Sequence, residues 1–258
     1  MESQIEEMTN RWFDETLSHM PKLSGSSWEV NTLIAGCFLC GRKYCKGIFS
    51  LLKNDHKLPA AALLRILCEL DVKLLWCLQA PDKTDAVGSD SCYQRFRRWD
   101  YLSLRENRTM FEEFRDLSSG SERLAADKKL QDLGKDIDSL KKEGLEPIPK
   151  VWCICKELST IVSPDFAKVY PMIYRRFSWA VHLDLAVIKD LVDDSGARVQ
   201  FRDDADRYCK EGVLLSYCTA MGCDINLMVR KHYGWDCDEM LHEFRSFVQQ
   251  WAESKRAN

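Results

Sequence analysis

Apolar residues recur along this chain at the spacing of helices and almost nowhere with the alternation of strands. The pattern predicts helices over residues 3–20, 27–54, 58–80, 90–117, 121–143, 149–160, 165–194, 204–232 and 236–256. Residues 58–80 hold Leu63, Leu64, Leu67, Leu70, Leu74, Leu75 and Leu78, apolar almost all round. Residues 31–52 and 165–192 read the same way, and a helix apolar on most sides belongs to a core. The breaks are equally local. Residues 21–27 form a loop whose Ser26 or Ser27 can cap the next helix, and Pro59 suits a first helical turn. Residues 81–90 are a polar connector and 144–149 a stop. Residues 193–196 close the helix that begins at 165, and Ala197–Phe201 fits a short extended piece.

These elements predict an all-α fold, a multi-helix bundle built around 27–54, 58–80 and 165–194. An N-terminal helix occupies 1–24, a helical core domain 25–195, and a C-terminal helical hairpin 196–258 that packs on the core or serves dimerisation. With 258 residues, 45% of them hydrophobic, the chain can bury a sizeable core. Net charge is 37 − 40 = −3, which gives no global field for nucleic acid, so any such contact must be a local patch. The start is acidic and lacks the apolar stretch of a signal peptide, and no membrane span is read. The twelve cysteines, several inside apolar helices, then fit reduced thiols in a cytoplasmic protein.

One segment interrupts the apolar pattern with chemistry. Tyr170, Tyr174, Ser178 and His182 recur every four residues, so on a helix they form one stripe. Met172, Ile173, Phe177, Trp179 and Val181 lie between them. Arg65 and Glu69 form a second pair at the same spacing in the leucine-rich helix 58–80. Buried charge needs a partner, so the pair is expected to face the stripe. The resulting cluster is either a polar network that fixes two helices or a cleft. In the cleft, His182 would move protons and Arg65, Arg175 or Arg176 would hold an anion.

The order Arg65-x-x-x-Glu69, Trp152, Tyr170-x-x-x-Tyr174-x-x-x-Ser178-x-x-x-His182 resembles a helical prokaryotic family known as a domain of unknown function, over roughly residues 25–195. Arg176-x5-His182 also resembles the Arg-x4–6-His pattern of HEPN-type helical ribonucleases. That resemblance implies a HEPN-like core with added C-terminal helices. It also implies a homodimer whose two His/Arg pairs share a cleft, and metal-independent attack of an RNA 2′-hydroxyl on its neighbouring phosphate. By analogy, the setting would be a toxin or phage defence. His182 would shuttle the proton, Arg176 or Arg175 would hold phosphate, and Ser178, Tyr174, Glu69 and Arg65 would orient them. On a regular helix Arg176 lies about 240° from His182, and Arg175 is closer in azimuth. Arg176 is followed by Phe177, where the family usually has polar residues. The alternative reading is an inert helical scaffold that binds a protein partner.

Tyr93-Gln-Arg95-Phe-Arg97-Arg98-Trp99 mixes arginines with aromatics. Arg95, Arg97, Arg98 and Trp99 are the candidate RNA contacts, because arginines position phosphates and aromatics stack bases. The competing reading turns the aromatics inward and pairs the arginines with the acidic 111–143 region. Cys37-Phe-Leu-Cys40 lacks a second Cys-x-x-Cys, so no metal or cofactor is expected.

Overall fold

The structure, a computed structural model, describes residues 2–20, 28–80, 91–175, 177–178, 192–193, 200–201 and 210–256. Among these residues it is all-α apart from one two-residue ladder. The helices are α1 (Glu2–His19), α2 (Trp28–Lys53), α3 (Lys57–Leu78), α4 (Cys92–Leu117), α5 (Gly120–Lys142), α6 (Val151–Ile161), α7 (Phe166–Val169), α8 (Glu211–His232) and α9 (Asp238–Arg256). The chain divides into two compact units. One comprises Met1–Leu75 with Ile154–Asn258, the other Trp76–Cys153.

Three helix ends share one solution to their unsatisfied carbonyls. Asp55, Gly144 and Gly234 adopt positive φ of 58°, 73° and 70°. After α2, the Asp55 and His56 amides donate to Leu52 and Leu51; α5 and α8 close in the same way at Gly144 and Gly234. These are Schellman ends, and glycine is the residue that takes the left-handed position without a Cβ penalty. At the other end of a helix, Ser91 caps α4. Its hydroxyl accepts the Gln94 amide at 3.2 Å, while the Gln94 side chain accepts the Ser91 amide at 2.8 Å. This reciprocal box satisfies two donors that the first turn leaves open.

In the larger unit α8 packs on α1 and α2. The approach is close because glycines stand at the crossings. A Cβ on Gly41 would lie 2.8 Å from Ile225 Cδ1, and one on Gly222 would lie 3.0 Å from Thr9 Cγ2. Phe13, Phe38, Phe49, Leu64 and Leu67 fill the core fully buried. Trp12, Cys223 and Met240 form a second cluster that ties α9 to α1 and α8. The Trp12 indole N–H donates to Glu243 Oε2 at 2.8 Å, satisfying its one polar atom. Helix α8 is long and apolar enough to cross a membrane, but most of it is buried in this core, where its Thr219 and Asn226 are fully buried. Core helices of water-soluble proteins meet the same length and composition test.

In the smaller unit α4 and α5 form an antiparallel hairpin. Tyr101, Ile137 and Leu140 are its buried seam, with Leu104 and Leu145 against them.

The single helix expected over 165–194 is corrected. Four residues of α7 lead into a π turn over Tyr170–Arg175. Pro171 is the physical reason. It has no amide to donate to the Ala167 carbonyl and its ring crowds that carbonyl, so a regular turn cannot form. Residues 192–193 are not helical either, because Val192–Asp193 pairs antiparallel with Gln200–Phe201. The last helix but one starts at Glu211 rather than at 204.

Candidate functional site

Helix α3 places three charged residues one turn apart on one face. Arg65 Nη1 lies 3.6 Å from Glu69 Oε2, and Lys73 Nζ lies 2.6 Å from Glu69 Oε1. The i, i+4 spacing brings them together without help from the rest of the fold. Long-range packing then adds Tyr174 from the π turn. Arg65 Nη2 donates to the Tyr174 hydroxyl at 2.6 Å, and its guanidinium carbon lies 4.4 Å from the ring centroid. The planar cation covers the ring face while its edge reaches the hydroxyl, a combination open to Arg and closed to Lys.

The cluster is not sealed. The Arg65 and Glu69 side chains keep 16% and 27% of their surface, and Lys73 keeps 10%. Arg65 Nε is buried with no hydrogen-bond partner. Ser178 is half-buried, and its hydroxyl donates back to the Tyr174 carbonyl at 2.7 Å. Arg175 is exposed. Phe177, fully buried, packs edge-on against Tyr217 of α8 and anchors the segment. Arg65, Glu69, Tyr174 and Ser178 are therefore neighbours. His182 and Arg176 lie outside the described residues.

The aromatic and basic segment of α4 turns its arginines onto its own unit. Arg95 is buried, donates to the Trp76 carbonyl at 2.6 Å and stacks 4.3 Å from the Trp76 ring. Arg97 pairs with Glu143 at 2.9 Å. Arg98 donates to the Glu146 carbonyl at 3.2 Å, and its guanidinium carbon lies 5.3 Å from the Trp76 ring centroid. Trp99 stacks on Phe96 at 6.3 Å. Arg95 is sequestered by burial, and Arg97 and Arg98 turn their charge onto Glu143 and the Glu146 carbonyl of the same unit.

A family model matches residues 31–198 of the chain. The chain belongs to DUF5677, a family of unknown function. The matched span contains the whole of the Arg65–Tyr174 cluster and the α4–α5 hairpin; α1, α8 and α9 lie outside it. No curated protein and no solved structure matches the chain.

Two charged residues of this DUF5677 core escaped the sequence reading. Lys73 had a signal, since a Glu four residues before a Lys is a favourable helical pair. Asp71 had only its oddity as an acid among leucines. It is buried, and its Oδ1 has no hydrogen-bond partner. Burial pushes its carboxyl well above the usual range, helped by Asp224 of α8 and by Cys45 of α2. Asp224 keeps an exposed side chain, yet the protein around it pushes its carboxyl up to about 6, against the pull of Lys231. Water reaches and screens Asp224, so the pH dependence is assigned to Asp71.

The unfolded chain loses the Asp71 proton near the ordinary carboxylate value, and the folded chain holds it to higher pH. The stability contribution is complete below the unfolded value and falls as pH rises through the folded one. Asp71→Asn should therefore stabilise the protein by about 1–3 kcal/mol at about pH 8 and little at about pH 4. Urea denaturation at the two pH values checks this. An unchanged pH slope in the variant would remove Asp71 as its source.

Burial mutes several thiols of the DUF5677 protein. All described cysteines are free. Burial, with Cys40 beside it, pushes the Cys37 thiol up to about 12, and Cys223 is raised as far, mainly by burial. Such thiols are poor nucleophiles because the thiolate is the reactive form. Among the described residues no three His, Cys, Asp or Glu side chains converge on a metal position.

Proposed function

We propose that this DUF5677 protein binds and cleaves RNA, with the Arg65–Glu69–Tyr174 cluster as the support of its working site. The observation that carries the reading is the seat of Arg65 on Tyr174. It links the charged row of α3 to the segment that bears Arg175 and Ser178 and, four residues further in sequence, His182. An imidazole there can accept the proton of a 2′-hydroxyl and return one to the leaving oxygen near neutral pH. Exposed Arg175, or Arg176, supplies the positive charge for the phosphate. Arg65 and Glu69 are positioning residues: they hold Tyr174, and through it the turn that presents the arginines. The HEPN resemblance adds a homodimer and an absence of metal from the reaction, since His and Arg together supply proton transfer and charge.

A second reading is favoured by a specific observation. Glu69 pairs with both Arg65 and Lys73, Arg65 reaches Tyr174, and Ser178 bonds its own backbone. Polar groups spent mainly on one another suit an inert scaffold that fixes the fold and binds a protein elsewhere.

Wild type and His182→Ala, incubated with mixed cellular RNA in EDTA and checked by circular dichroism, separate the two. Cleavage by wild type alone, with both proteins folded, supports the nuclease. No cleavage by wild type, with His182→Ala strongly destabilised, sinks it in favour of the scaffold.

A further inference from the structure

Helix α4 carries two apolar rows, and only one is covered. Tyr101 and Leu104 pack with Ile137 and Leu140 of α5. The other row is Met110, Phe114 and Leu117, which remain 53%, 46% and 90% exposed. At about 100° per residue these three fall within about 60° of one another, so they form one stripe rather than scattered positions. Leu124, at the start of α5, is 71% exposed. Large apolar side chains grouped in this way on an otherwise charged helix mark a contact surface.

The charge beside the stripe says what covers it. Tyr101 and Leu104 lie on one flank, so α5 occupies that side. On the other flank, seven residues apart, are Glu106 and Glu113, both exposed. Of the arginines in this half of α4, Arg105 lies about 120–180° round the helix from the stripe, and Arg108 and Arg115 are held by helix neighbours, Glu112 at 2.9 Å and Asp116 at 2.9 Å. The open edge is therefore apolar with a negative border. A second copy fits it poorly, because two-fold antiparallel pairing would set Glu113 on the same side as its own mate. Nucleic acid is repelled by the same carboxylates.

We propose that this face of α4 binds a basic amphipathic helix of another protein. The partner's apolar anchors, spaced i, i+4 and i+7, would seat on Met110, Phe114 and Leu117, and its lysines or arginines would meet Glu106 and Glu113. This surface is independent of the RNA reading: it lies wholly on the α4–α5 hairpin and uses none of the residues of the Arg65 cluster.

The test uses the full chain and two labelled heptad peptides, one Leu/Lys and one Leu/Glu, in fluorescence anisotropy. Wild type should bind the Leu/Lys peptide and not the Leu/Glu peptide. Phe114→Asp/Leu117→Asp should weaken Leu/Lys binding about tenfold or more, because it removes the central anchors. Glu106→Lys/Glu113→Lys should lose the Leu/Lys peptide and gain the Leu/Glu one. Both pairs lie on the exposed face, so helix content by circular dichroism should hold. If the aspartate pair unfolds the protein, the charge reversal decides alone. Equal peptide affinity in wild type and the charge-reversed protein would overturn the proposal. So would self-association of wild type, by sedimentation velocity, that Phe114→Asp/Leu117→Asp abolishes, since the face would then be a contact between copies.

Discussion

Phe13→Ala should cost the fold about 3–5 kcal/mol, the range for deleting a buried aromatic ring. Phe13 is completely buried and its ring centroid lies 5.1 Å from that of Phe38. Its ring edge also lies 3.5 Å from where a Cβ would stand on Gly222. One side chain thus contacts α2 and fills the close crossing of α1 over α8. Gly222 has no side chain to shift into the hole, so a cavity term adds to the lost transfer energy. Denaturant unfolding should show a lower midpoint with an unchanged slope. Leu117→Ala, at a site 90% exposed, is the matched control and should stay within about 0.5 kcal/mol. A loss below about 1 kcal/mol for Phe13→Ala would mean that α1 is not part of the cooperative core.

Arg65→Met should cost about 1.5–3 kcal/mol, the worth of hydrogen bonds to a charged group in a partly screened place. Met keeps most of the aliphatic volume and removes the cation. Tyr174 then loses the donor at 2.6 Å and the cation over its ring, while Glu69 keeps Lys73. The side chain retains 16% of its surface, so water recovers part of the loss and the larger penalty of a sealed ion pair does not apply. Arg65→Met combined with Glu69→Gln should cost less than the sum of the singles, because both act on one network. Thermal or urea unfolding of the four proteins of this cycle gives the coupling. Strict additivity would show that the contacts of Arg65 and Glu69 are energetically separate. The same Arg65→Met protein informs the functional reading. A positioning role for Arg65 lowers RNA cleavage more than it lowers stability at the assay temperature, whereas a purely structural role moves the two together.

The contrast between α3 and α4 marks what sequence alone determined. The leucine rows of residues 58–80 and the Arg65–Glu69 spacing fixed both a core helix and an ion pair, because helical geometry places i and i+4 together whatever surrounds them. The stop at Gly144 was legible for the same reason, since a helix end is settled within a few residues of backbone; the cap at Ser91 and the end at Gly234 are as local, although the apolar pattern ran the fourth helix from residue 90. Pro171 carried a local signal too, and the π turn it produces follows from a missing amide. Tertiary structure decided the rest. Arg65 and Tyr174 are 109 residues apart; the need of a buried charge for a partner made their meeting an expectation, and long-range packing chose the Tyr174 hydroxyl and ring face as what Arg65 meets. Arg95, Arg97 and Arg98 had the composition of a phosphate surface, and only the fold of their unit turned them onto Trp76, Glu143 and Glu146. Asp71 reads in sequence as one more acid, and only packing shows it buried without a partner. Spacing sets what one helix offers on each face, and the identity of the neighbour on that face depends on how distant segments close on one another.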